Sequence, residues 1–321
     1  MSLSNRSRLI RFIPYFLIPI FLFLNQFHAI TLSSDSAVER FRTDAIKAWN
    51  RLEMQSEIGS GLIQMDYAVI EANKITQARS RQMLFYRNKR KIRIDSTIKT
   101  DPPTINSFIA GETYGARFKK DNDERTYRVE WLGSPSESSK SVREGTYYPN
   151  GFNARWSLWS TPLQIIVEKK EFRLHGAEEV EVNGRKRIIV SFECVTEDPA
   201  IRFYDASLTM SPEDDWAIVE ADFVVTPARD WKYRTLNVFD RQADGMIVRR
   251  TTKISTIALK SDTQSHRSFE FDKIQFNTPA DEKFTLTDFG LPEPALGMNN
   301  HFASTTHFWL FAIASILFSR P

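Results

Sequence analysis

The chain has 321 residues, 41% of them hydrophobic and 26% charged, with a formal charge of +3; that suits one large or two ordinary domains and gives no global field to draw it to nucleic acid. Its one cysteine, Cys194, excludes an internal disulfide, and an apolar strand position marks it as buried filler rather than a reactive thiol. Twenty-four Phe and seven Trp suit strands and apolar clefts.

Arg6, Arg8 and Arg11 precede an apolar run from Phe12 to Leu24, followed by Asn25, Gln26 and Ala29. This order reads as a secretory signal peptide or signal anchor over residues 1–31, and Pro14 and Pro19 inside the run count against a buried core helix. Cleavage after Ala29 removes three Arg and no acid, taking the formal charge from +3 to zero, although Phe27 stands where a small side chain is usual. Ser36-x-x-Glu39 predicts a capping box. Val38, Phe41, Ala45, Ala48, Trp49 and Leu52 then recur at three- and four-residue spacing, so one amphipathic helix is expected to about Gln55.

After Gly59 and Gly61 the period becomes two. Residues 62–70, 79–86, 90–98, 104–110, 114–119 and 125–132 read as short strands at the intervals of a curled antiparallel sheet. The basic run Arg87, Lys89, Arg90, Lys91 and Arg93 reads as a solvated hairpin tip before a phosphate or headgroup contact. Ser134 to Ser141 reads as a surface loop. Trp156, Trp159, Leu163 and Ile166 predict an inserted helix that Pro162 starts or kinks.

The strongest local signal follows. Val180 and Val182, then Asn183-Gly184, then Ile188, Val190, Phe192 and Cys194 predict a hairpin with a two-residue turn and one apolar face. Tyr204, Ala206, Leu208 and Met210, and beyond the acidic turn Ala217, Val219, Ala221, Phe223 and Val225, extend it to four strands. Residues 231–239, 246–259 and 268–276 read as strands too. Residues 35–291 read as a single domain, 292–306 as a spacer, and 307–319 as an apolar tail shorter than the roughly twenty residues that span a bilayer. The Pro292-Glu293-Pro294 stretch, the apolar run and Arg320 resemble a degenerate bacterial PEP-type sorting signal.

The sequence carries no Gly-rich phosphate loop, no H-E-x-x-H, no paired cysteines and no G-x-S-x-G elbow. The five histidines are scattered. The acid pairs Glu178-Glu179 and Asp214-Asp215 read as solvated charge at strand starts and turns rather than general acid and base. No catalytic residue, metal site or cofactor is expected.

The export signal, the amphipathic helix, the long strand series with its insert, Asn183-Gly184 followed by Val190-Ser191-Phe192, and the acidic turn before Trp216-Ala217-Ile218-Val219 together resemble the LolA/LolB-like lipoprotein-carrier superfamily over about residues 36–278. The resemblance implies an α+β, mainly antiparallel fold. Its form is a half-open barrel with the N-terminal and inserted helices covering the concave face, where acyl chains are held. It also implies a non-enzymatic role in the envelope, periplasm or cell surface, here tethered by one or both termini, with membrane lipid or lipoprotein acyl chains as partners. Lining candidates on this reading are Trp49, Phe85, Phe108, Trp131, Trp159, Phe192, Trp216 and Phe223, because an open sheet needs large apolar groups facing its cleft. The alternative is a structural or sensory envelope protein in which the same aromatics fill a closed core.

Overall fold

The structure, a computed structural model, describes residues 34–53, 58–89, 91–99, 103–121, 126–135, 137, 157–158, 161–198, 201–225, 230–242 and 245–294. The N-terminal and C-terminal apolar runs, Trp156 and Trp159 lie outside the described residues.

Helix α1 (Ser34–Arg40) passes through a π-helical turn (Phe41–Ala45) into α2 (Ile46–Glu53). Ser36 lies inside α1 rather than at its start, so the expected capping box does not form. Thr43 Oγ1 donates to the Glu39 carbonyl at 2.9 Å, a back-bond that disturbs regular helix, and it falls within the π turn that buries Phe41 and Ala45.

Six strands follow: β1 (Ile58–Glu71), β2 (Lys74–Asn88), β3 (Lys91–Ile98), β4 (Thr104–Ala110), β5 (Gly115–Asp121) and β6 (Arg128–Gly133). The insert contributes a two-residue ladder, β7 (Ser157–Leu158) with β8 (Thr161–Pro162), and a short helix α3 (Leu163–Val167) that starts directly after Pro162. The remaining strands are β9 (Phe172–Val182), β10 (Arg185–Val195), β11 (Arg202–Ser211), β12 (Ala217–Val225), β13 (Trp231–Arg241), β14 (Ile247–Ala258) and β15 (Gln264–Gln275).

Thirteen of these strands form one antiparallel sheet in the order β6-β5-β4-β3-β2-β1-β15-β14-β13-β12-β11-β10-β9. The chain walks from β1 out to one edge, crosses through the insert to the other edge at β9, and returns by successive neighbours until β15 pairs with β1. Among the described residues β6 and β9 do not pair with each other, so the sheet is open, as in a half-open barrel.

Directly opposed residues share a face, so the pairings trace one inner face across the sheet. It carries Ile188, Val190, Phe192 and Cys194 of β10, Leu208 and Met210 of β11, Ala221 and Phe223 of β12, and Phe269 and Phe271 of β15. Asn183 and Gly184 have φ of 54° and 73°, the left-handed pair of a two-residue hairpin turn. That turn pairs Val182 with Arg185 and therefore Glu179 with Ile188. Val180 and Val182 consequently lie on the outer face, not with Ile188 as the alternation suggested. A bulge between Thr209 and Met210 likewise puts Ile218, rather than Val219, opposite Met210.

On the outer face a C-terminal strap, with 3-10 turns at Asp281–Phe284 and Thr287–Phe289, packs Phe284, Leu286 and Phe289 against Ile109, Ala116 and Phe118. Arg93 fastens it: the guanidinium bonds Asp95, Asp288 and the Lys283 carbonyl and stands 4.2 Å from the Phe289 ring centroid. Glu293 accepts from Tyr114 Oη at 2.6 Å and from the Thr287 amide at 2.9 Å. Partial burial of Asp288 opposes its ionisation, but the bonds from Arg93 and Lys283 outweigh it and hold the carboxyl below its usual range. The basic hairpin between β2 and β3 thus holds the strap, with Lys91 Nζ donating to Asp281 at 2.9 Å.

Two outcomes are expected. Gly184→Val places a β-branched residue at φ 73° and should lower stability by about 1–3 kcal/mol; an unchanged melting temperature would refute the turn. Because the folded pKa of Asp288 is depressed, its stabilising contribution is present above the unfolded value of about 3.9 and lost as pH falls through the folded value. Denaturant unfolding should therefore show the native chain more stable than Asp288→Asn at pH 7, with the difference shrinking as pH drops through the carboxylate range.

Candidate functional site

The inner face holds two apolar clusters that meet at Tyr233. The first is built on β9 to β12 and covered by Ala37, Phe41, Ala45, Ala48 and Trp49 of the helical segment, together with Leu158, Leu163 and Ile166 of the insert. Phe41 and Trp49 meet edge to face with ring centroids 6.1 Å apart. Cys194 is fully buried, and burial pushes its thiol up to about 11, so it stays protonated as packing.

The second cluster comprises Ile63, Met83, Phe85, Ile94, Ile254, Phe269 and Phe271. Its described members all come from the sheet and the residues just after β15, and among the described residues no helical one joins them.

The eight lining candidates divide between these regions. Trp49, Phe192, Trp216 and Phe223 come together in the first cluster. Phe85 belongs to the second. Phe108 packs with Ala110, Ile92 and Trp131, and the ladder Phe85–Ile94–Phe108–Arg117–Trp131 sets these residues on the same inner face. Trp159 lies outside the described residues.

Charged residues of the inner face escaped sequence reading. Glu179, expected to be solvated, is 6% exposed. Its carboxylate accepts a hydrogen bond from Arg40 of α1 and forms an ion pair with Lys186 Nζ at 3.1 Å. Arg40 also stands 5.7 Å from the Trp216 ring centroid. One guanidinium therefore ties the helical cover to β9 and to the turn before β12. The signal for Glu179 was present, since a two-residue turn fixes which residues oppose each other.

Between β7 and strands β12 to β15 lies a cleft with about 30 Å³ of room, lined by Leu158, Ile218, Ala221 and Ile254 on its apolar side. Thr235, Asn237, Thr252, Arg249 and Arg267 supply its polar side. Asn237 is held by both ends of its amide: Nδ2 donates to the Ile218 carbonyl at 2.8 Å, and Oδ1 accepts from Thr252 Oγ1 at 2.7 Å. Arg249 reaches this face through a bulge between Val238 and Phe239, where the register shift pairs Phe239 with Arg249 instead of Arg250. No pattern in the sequence announces that shift. Among the described residues no group of three or more His, Cys, Asp or Glu could hold a metal ion, and no helix is long and apolar enough to cross a membrane.

Removing Arg40 leaves a buried carboxylate with Lys186 alone, so the Arg40→Met and Glu179→Gln double-mutant cycle should give a coupling of about 1–3 kcal/mol. A coupling near zero in chemical denaturation would show that the pair does not hold the cover.

No family model matches the chain, and no curated protein matches it. Among solved structures the chain is similar to a DUF1329 family protein from Desulfovibrio piger, at 11% identity over 76% of this chain and 97% of that one, with a TM-score of 0.43. It is similar to a putative outer membrane lipoprotein-sorting protein domain from Vibrio parahaemolyticus at 8% identity, over 77% and 98% of the two chains, with a TM-score of 0.42. A LolA superfamily protein from Nitrosomonas europaea is similar at 10% identity over 74% and 97%, with a TM-score of 0.36. At these identities the likeness is one of fold alone.

Proposed function

We propose that the chain is a non-enzymatic envelope protein whose inner sheet face binds an apolar ligand, an acyl chain or the lipid moiety of a lipoprotein. The observation that carries this reading is the second apolar cluster. It continues the inner face beyond the helical cover, and its described neighbours are strands and the segment after β15 rather than helices. Its seven apolar side chains, each 8% exposed or less, form an apolar face of the kind that lines a chain ligand once what covers it is displaced. The basic flank and apolar run of residues 1–31 direct the body out of the cytoplasm, and the terminal apolar runs tether it to the membrane. Residues 35–291 act as one unit in this reading, which the packing of Phe284, Leu286 and Phe289 onto β4 and β5 supports.

A second reading is favoured by one specific observation. Trp49, at 2% exposed, is packed within the first cluster, and in a permanently closed core the helical cover would be a plug in a structural protein. The two readings differ in what touches a chain. A diazirine-bearing fatty acid is photo-crosslinked to the full-length protein in a non-ionic amphipathic polymer, and adducts are mapped by peptide mass spectrometry. Adducts on β1, β2 and β15 around Ile63, Phe85, Phe269 and Phe271 are expected. Adducts confined to the terminal apolar runs would refute inner-face binding. Trp49→Ala should cost about 3–5 kcal/mol if Trp49 is a sealed plug and clearly less if the cover is displaceable, measured by denaturant unfolding.

A further inference from the structure

The central cleft differs in chemistry from the clusters beside it. Its described lining carries two guanidiniums, Arg249 and Arg267, with Thr235, Asn237 and Thr252. Arg249 is 4% exposed and stands 5.6 Å from the Phe271 ring centroid; Arg267 stands 5.2 Å from that of Tyr67. Arginine presents a planar fork of donors matched to carboxylate, phosphate and sulfate oxygens. In a site withdrawn from water such a bond is stronger than at the surface.

Two further features favour a ligand over mere core filling. The bulge before Arg249 places it on the inner face where regular pairing would have placed Arg250, and bulges are a common means of re-aiming a side chain. Asn237 is fixed by two hydrogen bonds, one to the backbone of β12 and one from Thr252, which makes the polar wall rigid before anything binds.

Size and position then separate head from chain. Room of about 30 Å³ admits one or two water-sized groups and not an acyl chain. The cleft adjoins the second apolar cluster directly, because Ile254 belongs to both and Phe271 of that cluster carries the Arg249 guanidinium on its face. We propose that this cleft is a headgroup site for an anionic oxo group, carboxylate, phosphate or sulfate, borne by an amphiphile whose chain lies along Ile254, Phe269 and Phe271. The inference rests on the inner-face reading above and narrows it to anionic amphiphiles.

The test is competition against the diazirine fatty acid on the full-length protein in the same polymer. Competitors share a twelve-carbon chain and differ in head: dodecanoate, dodecyl phosphate and dodecyl sulfate against dodecyl maltoside and dodecyltrimethylammonium. The anionic heads should compete at concentrations at least about tenfold lower, a difference of about 1.4 kcal/mol. Arg267→Gln should abolish that preference and leave competition by dodecyl maltoside unchanged. A purely structural arginine would instead lower the melting temperature without altering head preference.

Should Arg267→Gln fail to fold, Arg267→Lys keeps the charge without the fork, and its preference should fall between the native and neutral-head values; an unchanged preference would overturn the assignment. Equal competition by all heads on the native chain overturns the headgroup site and leaves chain binding intact. Inorganic sulfate and phosphate form the free-anion arm. If they raise the melting temperature of the native protein and not of Arg267→Gln while no twelve-carbon chain competes, the anion cleft stands and the acyl reading fails.

Discussion

The pairing of β1 with β15 makes the molecule one object. Strands β1 to β6 form one meander and β9 to β15 another, and among the described residues the only strand ladder that joins them runs from Ser60 opposite Gln275 to Ile70 opposite Gln264. Without it there would be two sheets, each with an additional unprotected edge of free N–H and C=O groups. The pairing links strands at opposite ends of the folded chain, so closing it carries the largest loop-closure cost in the sheet. It also makes the inner face continuous, bringing the Phe269 and Phe271 strand beside Ile63 and Met65. The second apolar cluster, which takes Ile63 from β1 and Phe269 and Phe271 from β15, depends on this seam.

The helical cover answers a simpler problem. An open sheet that lines one face with Phe192, Phe203 and Phe223 must bury those rings against something. The stripe of Phe41, Ala45, Ala48 and Trp49 supplies the surface, and Arg40 supplies an electrostatic fastening at its margin. The π turn sits between the fastening and Trp49, so the two halves of the cover need not lie in one regular helical register.

Strand identity was legible because period-two alternation reports burial on one side, and Asn183-Gly184 marked its turn through the conformation that only such pairs adopt cheaply. Facing was less legible. Alternation determines facing within one strand, whereas the turn and the bulges determine how strands are phased against each other. Hence alternation sets Val180 and Val182 with Ile188 and leaves Glu179 in solvent, whereas the turn register places Glu179 opposite Ile188. The aromatic candidates were found because large apolar side chains announce burial by type. Arg249, Arg267 and Asn237 were missed because charged and polar residues in a strand pattern ordinarily face water, and the bulge that turns Arg249 inward leaves no compositional trace. The expected helix through Trp156 and Trp159 narrowed, in its described part, to a single short helix after Pro162, where the fixed ring conformation permits one to start.

The strap has a mechanical consequence. Phe284, Leu286 and Phe289 are seated on the outer side of β4 and β5, and Arg93 and Tyr114 grip Asp288 and Glu293 close to where the described chain ends at Pro294. Tension applied through residues beyond Pro294 is met first by these ion pairs and rings, on the side of the sheet opposite the helical cover. A pull from that direction peels the strap before it reaches the seam or the helix that roofs the inner face. A load applied from behind is therefore borne at the strap and not at the face that carries the helical cover.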